Sequence, residues 1–335
     1  MPVYFLQESK SFSYWILQDI PGNSRMKKYL PSMSSFCHFL LIRFATHLAI
    51  NITENMKHTL LGISIMAALV STNTYAAVNV SDEATLNAAI DMANADNSIQ
   101  KIVFAKNAQI SLNHPVIYTG TQKLTLLGNG AIIDGSAAGS FSIADDLTAS
   151  TEDGTLVFYT AADITIKKLS VMNSATRGIV VNIPDDAQGD DIQVSLEKVE
   201  IRDSALYGLH IDDNADEFDD GDLGSVIGIE LNIINSSFIG NGTGAIDFDG
   251  IRVDERGEGG IHAHIIHTHI DGNGGDGIEL DESGEGDVDA SMKHVTLNEN
   301  GFYNEEDLDD GFDIDEAGEG DLGACPRIRN LKRII

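Results

Sequence analysis

The sequence predicts an all-β fold, a parallel β-helix solenoid that opens with one short helix. Three observations predict it: an internal acidic repeat, a series of short strand-like segments separated by turn residues, and an alternation of apolar and charged residues within the repeat. In a solenoid each repeat buries its apolar face against its neighbours. We therefore expect one continuous core.

The negative charge of the chain is concentrated in its central part. Residues 1–55 carry a net charge of +2, whereas residues 77–324 carry 49 acidic and 11 basic side chains. Such a body repels phosphates and anionic membranes, and it attracts cations or basic partners. The composition excludes nucleic acid as a partner and predicts divalent cations, with a polysaccharide or cell-surface partner as a further expectation.

Residues 56–76 have the pattern of a secretory signal peptide. A basic start at Met56 and Lys57 precedes an apolar run of 11 residues (60–70), and small residues follow at Thr74 and Ala76. The run is shorter than the about 20 residues that span a bilayer. We expect a mature body that does not cross the membrane and is secreted or held at the cell surface, in the periplasm or on the outer membrane.

The two ends of the chain lie outside this pattern. Translation is predicted to start at Met56, which makes residues 1–55 a doubtful N-terminal extension; the alternative is a real cytoplasmic or membrane-proximal segment. Residues 325–335 are basic and follow no copy of the repeat. They are predicted to reflect a truncation or a frameshift, and the alternative is a basic tail that lies on the acidic body.

The body is predicted to begin with a helix and to continue as short strands. Ser81 is the predicted cap of a helix whose apolar stripe is Leu86, Ala89, Ile90 and Ala93. The segments after it end at Asn, Asp and Gly, which turn a chain sharply. The predicted strands are 101–105, 110–112, 116–118, 124–127, 131–133, 156–159, 164–166, 169–172 and 179–183.

A family resemblance rests on four segments of this region, T-L-N-A-A-I-D-M-A-N, K-I-V-F, L-T-L-L-G-N-G-A-I-I-D-G and I-T-I-K-K-L-S-V-M-N. They resemble the opening of pectate-lyase-like right-handed β-helix proteins, and the resemblance covers roughly residues 78–324. It implies a right-handed parallel β-helix solenoid with a short N-terminal capping helix. It implies little about chemistry, because this architecture hosts lyases, hydrolases, adhesins and passive surface proteins.

The acidic repeat D-G-[IF]-x-[VIL]-D-E-x-G-E-G begins at Asp249, Asp276 and Asp310, with a degraded copy at Tyr207. The offsets between the three full copies are 27 and 34 residues, and the extra seven residues (302–308) are interpreted as an inserted loop. Successive residues of a strand point to opposite sides. Equivalent residues of the copies therefore stack in columns. Two columns are predicted to point inward: Leu209, Ile251, Ile278 and Phe312, and Ile211, Val253, Leu280 and Ile314. The first column that is predicted to point outward is His210, Arg252, Glu279 and Asp313.

A second outward column predicts Ca²⁺ binding. It consists of aspartates about 4.8 Å apart on neighbouring strands, where each like-charge pair costs on the order of 3 kcal/mol at an effective dielectric constant of 20. Oxygen ligands at flexible turns suit Ca²⁺. The alternative is a solvated acidic face that keeps the protein soluble. The predicted ligands are Asp212, Asp254, Glu255, Glu258, Asp281, Glu282, Glu285, Asp287, Asp315, Glu316, Glu319 and Asp321.

Four histidines, His262, His264, His267 and His269, alternate with apolar residues and are predicted to point outward. The sequence favours solvated imidazoles, and a Zn²⁺ site is the alternative.

No catalytic residue is predicted, because the outward bases Arg252, Arg256 and Lys293 are scattered and carboxylates are too abundant for any pair to be diagnostic. The sequence favours a calcium-stabilised structural or adhesive module that is not an enzyme. The alternative is a polysaccharide lyase or glycoside hydrolase that acts on acidic polysaccharide.

Overall fold

The computed structural model describes residues 3–8, 11–18, 25–29, 76–149, 151, 153–213, 224–303 and 309–316. The chain divides into two compact units, residues 1–74 and 75–335. The described strands of the first unit are antiparallel and pair in the order β1 (Val3–Glu8), β2 (Ser11–Gln18), β3 (Arg25–Tyr29). Most of the predicted signal peptide, the predicted loop residues 304–308 and the tail 325–335 lie outside the described residues.

The second unit begins with β4 (Ala76–Val80) and the helix α1 (Glu83–Ala95). The predicted cap is wrong by one residue, because Asp82 caps α1 in place of Ser81. Asp82 Oδ1 accepts a hydrogen bond from the Thr85 amide at 2.8 Å, and the Thr85 hydroxyl accepts one from the Asp82 amide at 3.2 Å. This capping box satisfies two amides that have no partner within the helix. The predicted apolar stripe is buried: Leu86, Ala89, Ile90 and Ala93.

All described strands of the second unit, including β4, belong to two sheets, and every strand pairing in these sheets is parallel. The larger sheet contains β4, β5 (Ile99–Phe104), β6 (Gln109–Ser111), β8 (Leu124–Asp134), β10 (Ile164–Met172), β12 (Ile192–Glu197), β13 (Glu200–Arg202), β15 (Ile229–Ile234), β16 (Ser237–Ile239), β18 (Ile261–Ile266), β19 (His269–Asp271), β21 (Val288–Lys293) and β22 (Thr296–Asn298). The smaller sheet contains, in order, β7 (Val116–Tyr118), β9 (Gly154–Tyr159), β11 (Arg177–Asn182), β14 (Leu209–Asp212), β17 (Ile251–Glu255), β20 (Ile278–Glu282) and β23 (Asp313–Glu316). The second unit is therefore mostly β and parallel, as predicted.

The acidic repeat sets the register of the smaller sheet. Arg252 lies opposite Glu279, and Glu279 lies opposite Asp313, so the copies stack at the predicted offsets of 27 and 34 residues. The predicted inward columns join the inward residues of the larger sheet in one apolar core. Within the described part of the chain, no helix has the length and hydrophobicity that crossing a membrane requires.

Sharp corners of the larger sheet are formed by single residues in the left-handed conformation. Asn235, His267 and His294 have φ values of 53°, 51° and 56°, and they connect β15 to β16, β18 to β19 and β21 to β22. Asn and His adopt this conformation more readily than most residues that carry a Cβ. Within β18, burial alternates, so that His262 and His264 are exposed while Ile261, Ala263 and Ile265 are buried.

Candidate cation site and ionic network

The predicted aspartate column is present in the smaller sheet. Asp212 pairs with Asp254, Asp254 with Asp281, and Asp281 with Asp315, each on the neighbouring strand. Asp254 and Asp281 are buried, whereas Asp315 is exposed. The repulsion that the sequence predicted therefore acts in a partly desolvated environment, where it is stronger than in water.

Two arginines of the same chain compensate the charge of Asp254 and Asp281. Arg252 Nε donates to Asp254 Oδ1 at 2.6 Å, and Arg252 Nη2 donates to Asp281 Oδ2 at 3.1 Å. Arg256 Nη2 donates to Asp281 Oδ2 at 2.8 Å. The prediction that the outward bases are scattered is wrong for Arg252 and Arg256, because the turn after β17 brings Arg256 back over the column. Lys293 lies apart, on β21 of the larger sheet. Guanidinium groups therefore bridge these two aspartates.

His210 extends this ionic network toward β11. Arg177 Nη1 lies 2.7 Å from His210 Nδ1, and His210 Nε2 lies 2.8 Å from Asp254 Oδ2. Because arginine can only donate, Nδ1 accepts, and Nε2 carries the hydrogen that binds Asp254. Burial and the nearby Arg177 lower the pKa of His210 to about 4, although Asp254 acts in the opposite direction. The imidazole is therefore neutral near pH 7.

Opposing effects determine the ionisation of Asp254. Burial alone would raise its pKa, but Arg252 and the hydrogen bond from His210 hold the pKa well below its usual range. A small apolar cluster covers this part of the sheet, and the Tyr207 ring lies 4.6 Å from both the His210 and the Phe248 rings, measured between centroids. His210 is thus a buried link within the network.

Two predicted surface ligands, Glu255 and Glu282, face the interior instead. Both side chains are fully buried, on the same side of their strands as Val253 and Leu280. Glu255 Oε1 accepts hydrogen bonds from the amides of Gly257 and Gly259 at 3.1 and 3.2 Å. The expected position beside the outward column is wrong, because strand alternation continues to the last residue of each strand.

The other predicted ligands do not converge. Glu258, Glu285 and Asp287 are exposed at the turns, Asp212 and Glu316 are half-buried, and Glu319 and Asp321 lie outside the described residues. Among the described residues, no three of the predicted ligands bring their oxygen atoms within 4.8 Å of one another. The aspartate column is therefore a ladder tied by arginines, without a described three-ligand ion site.

A different set of carboxylates does converge. Asp247, Asp249 and Glu279 each place one oxygen atom within 4.8 Å of the other two, and we call them the carboxylate cluster. Sequence analysis missed this cluster because Asp247 precedes the repeat, and Glu279 occupies the position that is arginine in the preceding copy. The sequence feature that could have indicated the cluster is the D-F-D segment, in which Asp247 and Asp249 are two residues apart.

The carboxylate cluster combines buried and exposed oxygens. Asp249 is fully buried and Asp247 is exposed. Asp249 Oδ1 accepts a hydrogen bond from the Asp276 amide at 2.6 Å, whereas Asp249 Oδ2 accepts none and lies 3.9 Å from Arg252 Nη1. Arg252 Nη1 also contacts Glu279 Oε2. One guanidinium thus faces several carboxylates, which leaves excess negative charge at the cluster.

Burial raises the pKa values of two groups of the cluster, Asp249 and Glu279. Burial, with repulsion from Glu279, raises the pKa of Asp249 well above its ordinary value. Burial raises the pKa of Glu279 to about 7, although Arg252 acts against it. The pKa of Asp276, whose amide binds Asp249, is raised to about 8 by burial.

The four predicted outward histidines are exposed, as expected. His262 lies between Glu230 and Asp289 on the neighbouring strands, and these residues line a shallow depression. The His267 and His294 rings stack with centroids 4.8 Å apart. In the described part of the chain, these histidines form no group of three metal ligands.

Comparisons with protein families, with curated proteins and with solved structures gave no match for this chain. The likeness to pectate-lyase-like proteins therefore stays a prediction.

Proposed function

We propose that residues 77–324 form a right-handed parallel β-helix that is exported and acts as a structural or adhesive module at the cell surface or outside the cell. The two parallel sheets, with strands in register from one repeat to the next, support the solenoid. The ionic network supports a structural role, because Arg252 binds both Asp254 and Asp281 and all three side chains are largely buried.

We also propose that the carboxylate cluster binds a divalent cation, Ca²⁺, and that this binding stabilises the module. The convergence of Asp247, Asp249 and Glu279 is the observation that carries it. Ca²⁺ takes six to eight oxygen ligands and accepts water among them, and the exposed Asp247 leaves one side accessible to water. The buried Asp249 Oδ2, which accepts no hydrogen bond, offers a ligand without breaking an existing bond.

Calcium is expected to raise the thermal stability of the wild-type full chain, and Asp247→Asn is expected to remove that effect. A ligand at about 100 times its dissociation constant stabilises a fold by about 2.7 kcal/mol. Asn keeps the size of the side chain and tolerates the left-handed backbone at position 247, where φ is 62°. The measurement is the unfolding midpoint in EDTA and across a Ca²⁺ titration.

The matched control is Asp289→Asn, which removes one exposed charge from the larger sheet. It should respond to Ca²⁺ as the wild type does, and Na⁺ at equal ionic strength should not reproduce the response. Equal responses of Asp247→Asn and the wild type would rule out the cation at this cluster, and the proposed structural role of the module would then need no metal.

A polysaccharide lyase or hydrolase is the second candidate function, and one observation favours it. Glu279, with a pKa raised to about 7 by burial, touches the guanidinium of Arg252. Carboxyl groups that titrate near neutral pH often act in acid–base catalysis. Shortening of polygalacturonate or alginate chains by the wild type, lost in Glu279→Gln, would support this function. No shortening by the wild type would contradict it for these substrates.

A further inference from the structure

A second set of carboxyl groups lies inside the core, on the face of the smaller sheet opposite the ionic network. Glu255 pairs with Glu282 and Glu282 with Glu316 on neighbouring strands. Asp213 follows β14, and its amide donates to the Asp254 carbonyl at 3.3 Å, which places Asp213 level with Glu255. We call these four residues the interior carboxyl column. Asp213, Glu255 and Glu282 are fully buried, and Glu316 is half-buried.

Backbone amides bind one side of this column. Asp213 accepts hydrogen bonds from the amides of Ser225 and Arg256 at 2.6 and 2.8 Å. Glu282 Oε1 accepts from the amides of Gly284 and Gly286 at 2.8 and 3.2 Å, which repeats the arrangement of Glu255 one copy earlier. The Oε2 atoms of Glu255 and Glu282 are buried and accept no hydrogen bond. Each glutamate therefore has one satisfied oxygen and one unsatisfied oxygen.

No basic side chain pairs with Asp213, Glu255 or Glu282 in the described part of the chain. Arg256 meets the column through its amide, while its guanidinium binds Asp254 and Asp281 on the other face of the sheet. From the adjoining turns, Glu258, Glu285 and Asp287 are exposed. The carboxyl groups of Asp213 and Glu282 are within hydrogen-bonding reach of Glu255. Among the described residues, no basic side chain therefore neutralises Asp213, Glu255 or Glu282.

A proton fits this position better than a metal ion. Ca²⁺ needs six to eight oxygen ligands, whereas Oε1 of each glutamate already accepts two amide hydrogens, whose partial positive charge repels a cation. An unpaired carboxylate is costly to bury, and the group takes up a proton instead. A protonated carboxyl group donates one hydrogen bond, which is what an unsatisfied oxygen on the neighbouring carboxyl requires.

We infer that the interior carboxyl column binds protons, and that a proton shared between Glu255 and its neighbours Asp213 and Glu282 joins successive repeats. The Glu255 hydroxyl donates to a carboxylate oxygen of the copy before or after it. Burial, with repulsion from Asp213, raises the pKa of Glu255 to about 10, and burial raises the pKa of Asp213 as well. The column therefore stabilises the fold at low pH, where Glu255 is protonated and donates a hydrogen bond. At high pH the ionised carboxylates of the column repel one another.

The direction of the pH dependence follows from proton linkage. A group whose pKa is higher in the folded state contributes its full stability below the unfolded pKa and loses it as the pH rises toward the folded value. For Glu255 this window extends from about 4.5 to about 10. Unfolding in this window should therefore release about one proton from Glu255.

The test compares Glu255→Gln with Glu258→Gln in the full chain, by measuring unfolding midpoints from about pH 5 to about pH 9. Both variants replace a glutamate by glutamine within four residues of chain, but Glu255 is buried at the end of β17 and Glu258 is exposed in the turn after it. Gln imitates the protonated carboxyl, because its amide donates one hydrogen bond and its oxygen still accepts from the glycine amides. We expect Glu255→Gln to release about one proton fewer on unfolding than Glu258→Gln, and to be the more stable variant at alkaline pH.

A second pair, Glu282→Gln and Glu285→Gln, serves if Glu255→Gln does not fold, because Glu282→Gln changes a partner of the Glu255 proton and Glu285→Gln changes an exposed residue of the following turn. Infrared difference spectra at neutral pH should show that Glu255→Gln loses protonated carboxyl absorption relative to the wild type and Glu258→Gln does not; the absorption of Asp249 and Asp276, whose pKa values are also raised, should remain in all three proteins. Identical pH profiles within both pairs would overturn the inference. So would Ca²⁺-dependent stability that Glu255→Gln abolishes and Glu258→Gln retains, because the column would then hold a metal ion.

Discussion

Replacing Arg252 by methionine is expected to destabilise the fold by about 3–5 kcal/mol, the cost of breaking a buried ionic network by removing one partner. The Arg252 side chain is only 12% exposed, and it binds Asp254, Glu279 and Asp281. Methionine retains most of the apolar volume, so the expected loss is electrostatic. Urea unfolding at neutral pH measures the change in free energy.

Arg202→Met is the control for this prediction. Arg202 is 42% exposed and lies beside Glu200 and Asp203 at the surface. Exposed pairs of this kind contribute about 0–1 kcal/mol. Adding Glu279→Gln to Arg252→Met should recover part of the lost stability, because it removes one of the carboxylates that Arg252 compensated. A cost for Arg252→Met no larger than that for Arg202→Met would show that the network is not a major source of stability.

Gly284→Ala is expected to cost more than about 3 kcal/mol, at the upper end of what overpacking costs. A Cβ at position 284 would lie 1.5 Å from the carbonyl oxygen of Gly257 in the preceding turn. The same pair of turns is in contact at a second point, since a Cβ at position 286 would lie 1.5 Å from the Gly259 carbonyl oxygen. Both turns would have to separate, and the loss of stability can be measured by thermal unfolding.

Gly272→Ala separates steric from conformational effects. Gly272 has a φ of +70°, but nothing lies within 4 Å of a Cβ built on it. The cost there should be about 1 kcal/mol, which reflects the strain of an L-residue in the left-handed region. If Gly284→Ala costs no more than Gly272→Ala, the turns are not packed backbone to backbone.

The sequence anticipated the elements that depend on local patterning. Period-two alternation predicted the inward columns that contain Ile251 and Val253, and the offset between repeats predicted that Arg252 lies opposite Glu279. The apolar stripe of the helix was predicted correctly, but the predicted cap was Ser81 and the helix is capped by Asp82, which accepts the hydrogen bond from the Thr85 amide. Both residues cap helices well, and propensity alone does not choose between neighbours.

The candidate sites were less predictable, because they depend on which side chains meet across strands. Strand alternation extends to Glu255, so this residue belongs to the core and not to the surface. Arg256 reaches the aspartate column only because the turn after β17 folds back, and no spacing rule expresses that path. Asp247 joins Asp249 and Glu279 from a segment outside the repeat.

The sequence by itself determined the β class, the parallel stacking register, the inward columns and the acidic character of the body, because each follows from the order of residues along one strand and its copies. Only the tertiary structure decided which charges are buried and what neutralises each of them. Burial and pairing depend on neighbours that come from other repeats and turns. Among the described residues, the Asp254 charge is met by arginine and by the hydrogen bond from His210, the carboxylate cluster shares the guanidinium of Arg252, and Asp213, Glu255 and Glu282 have no basic partner.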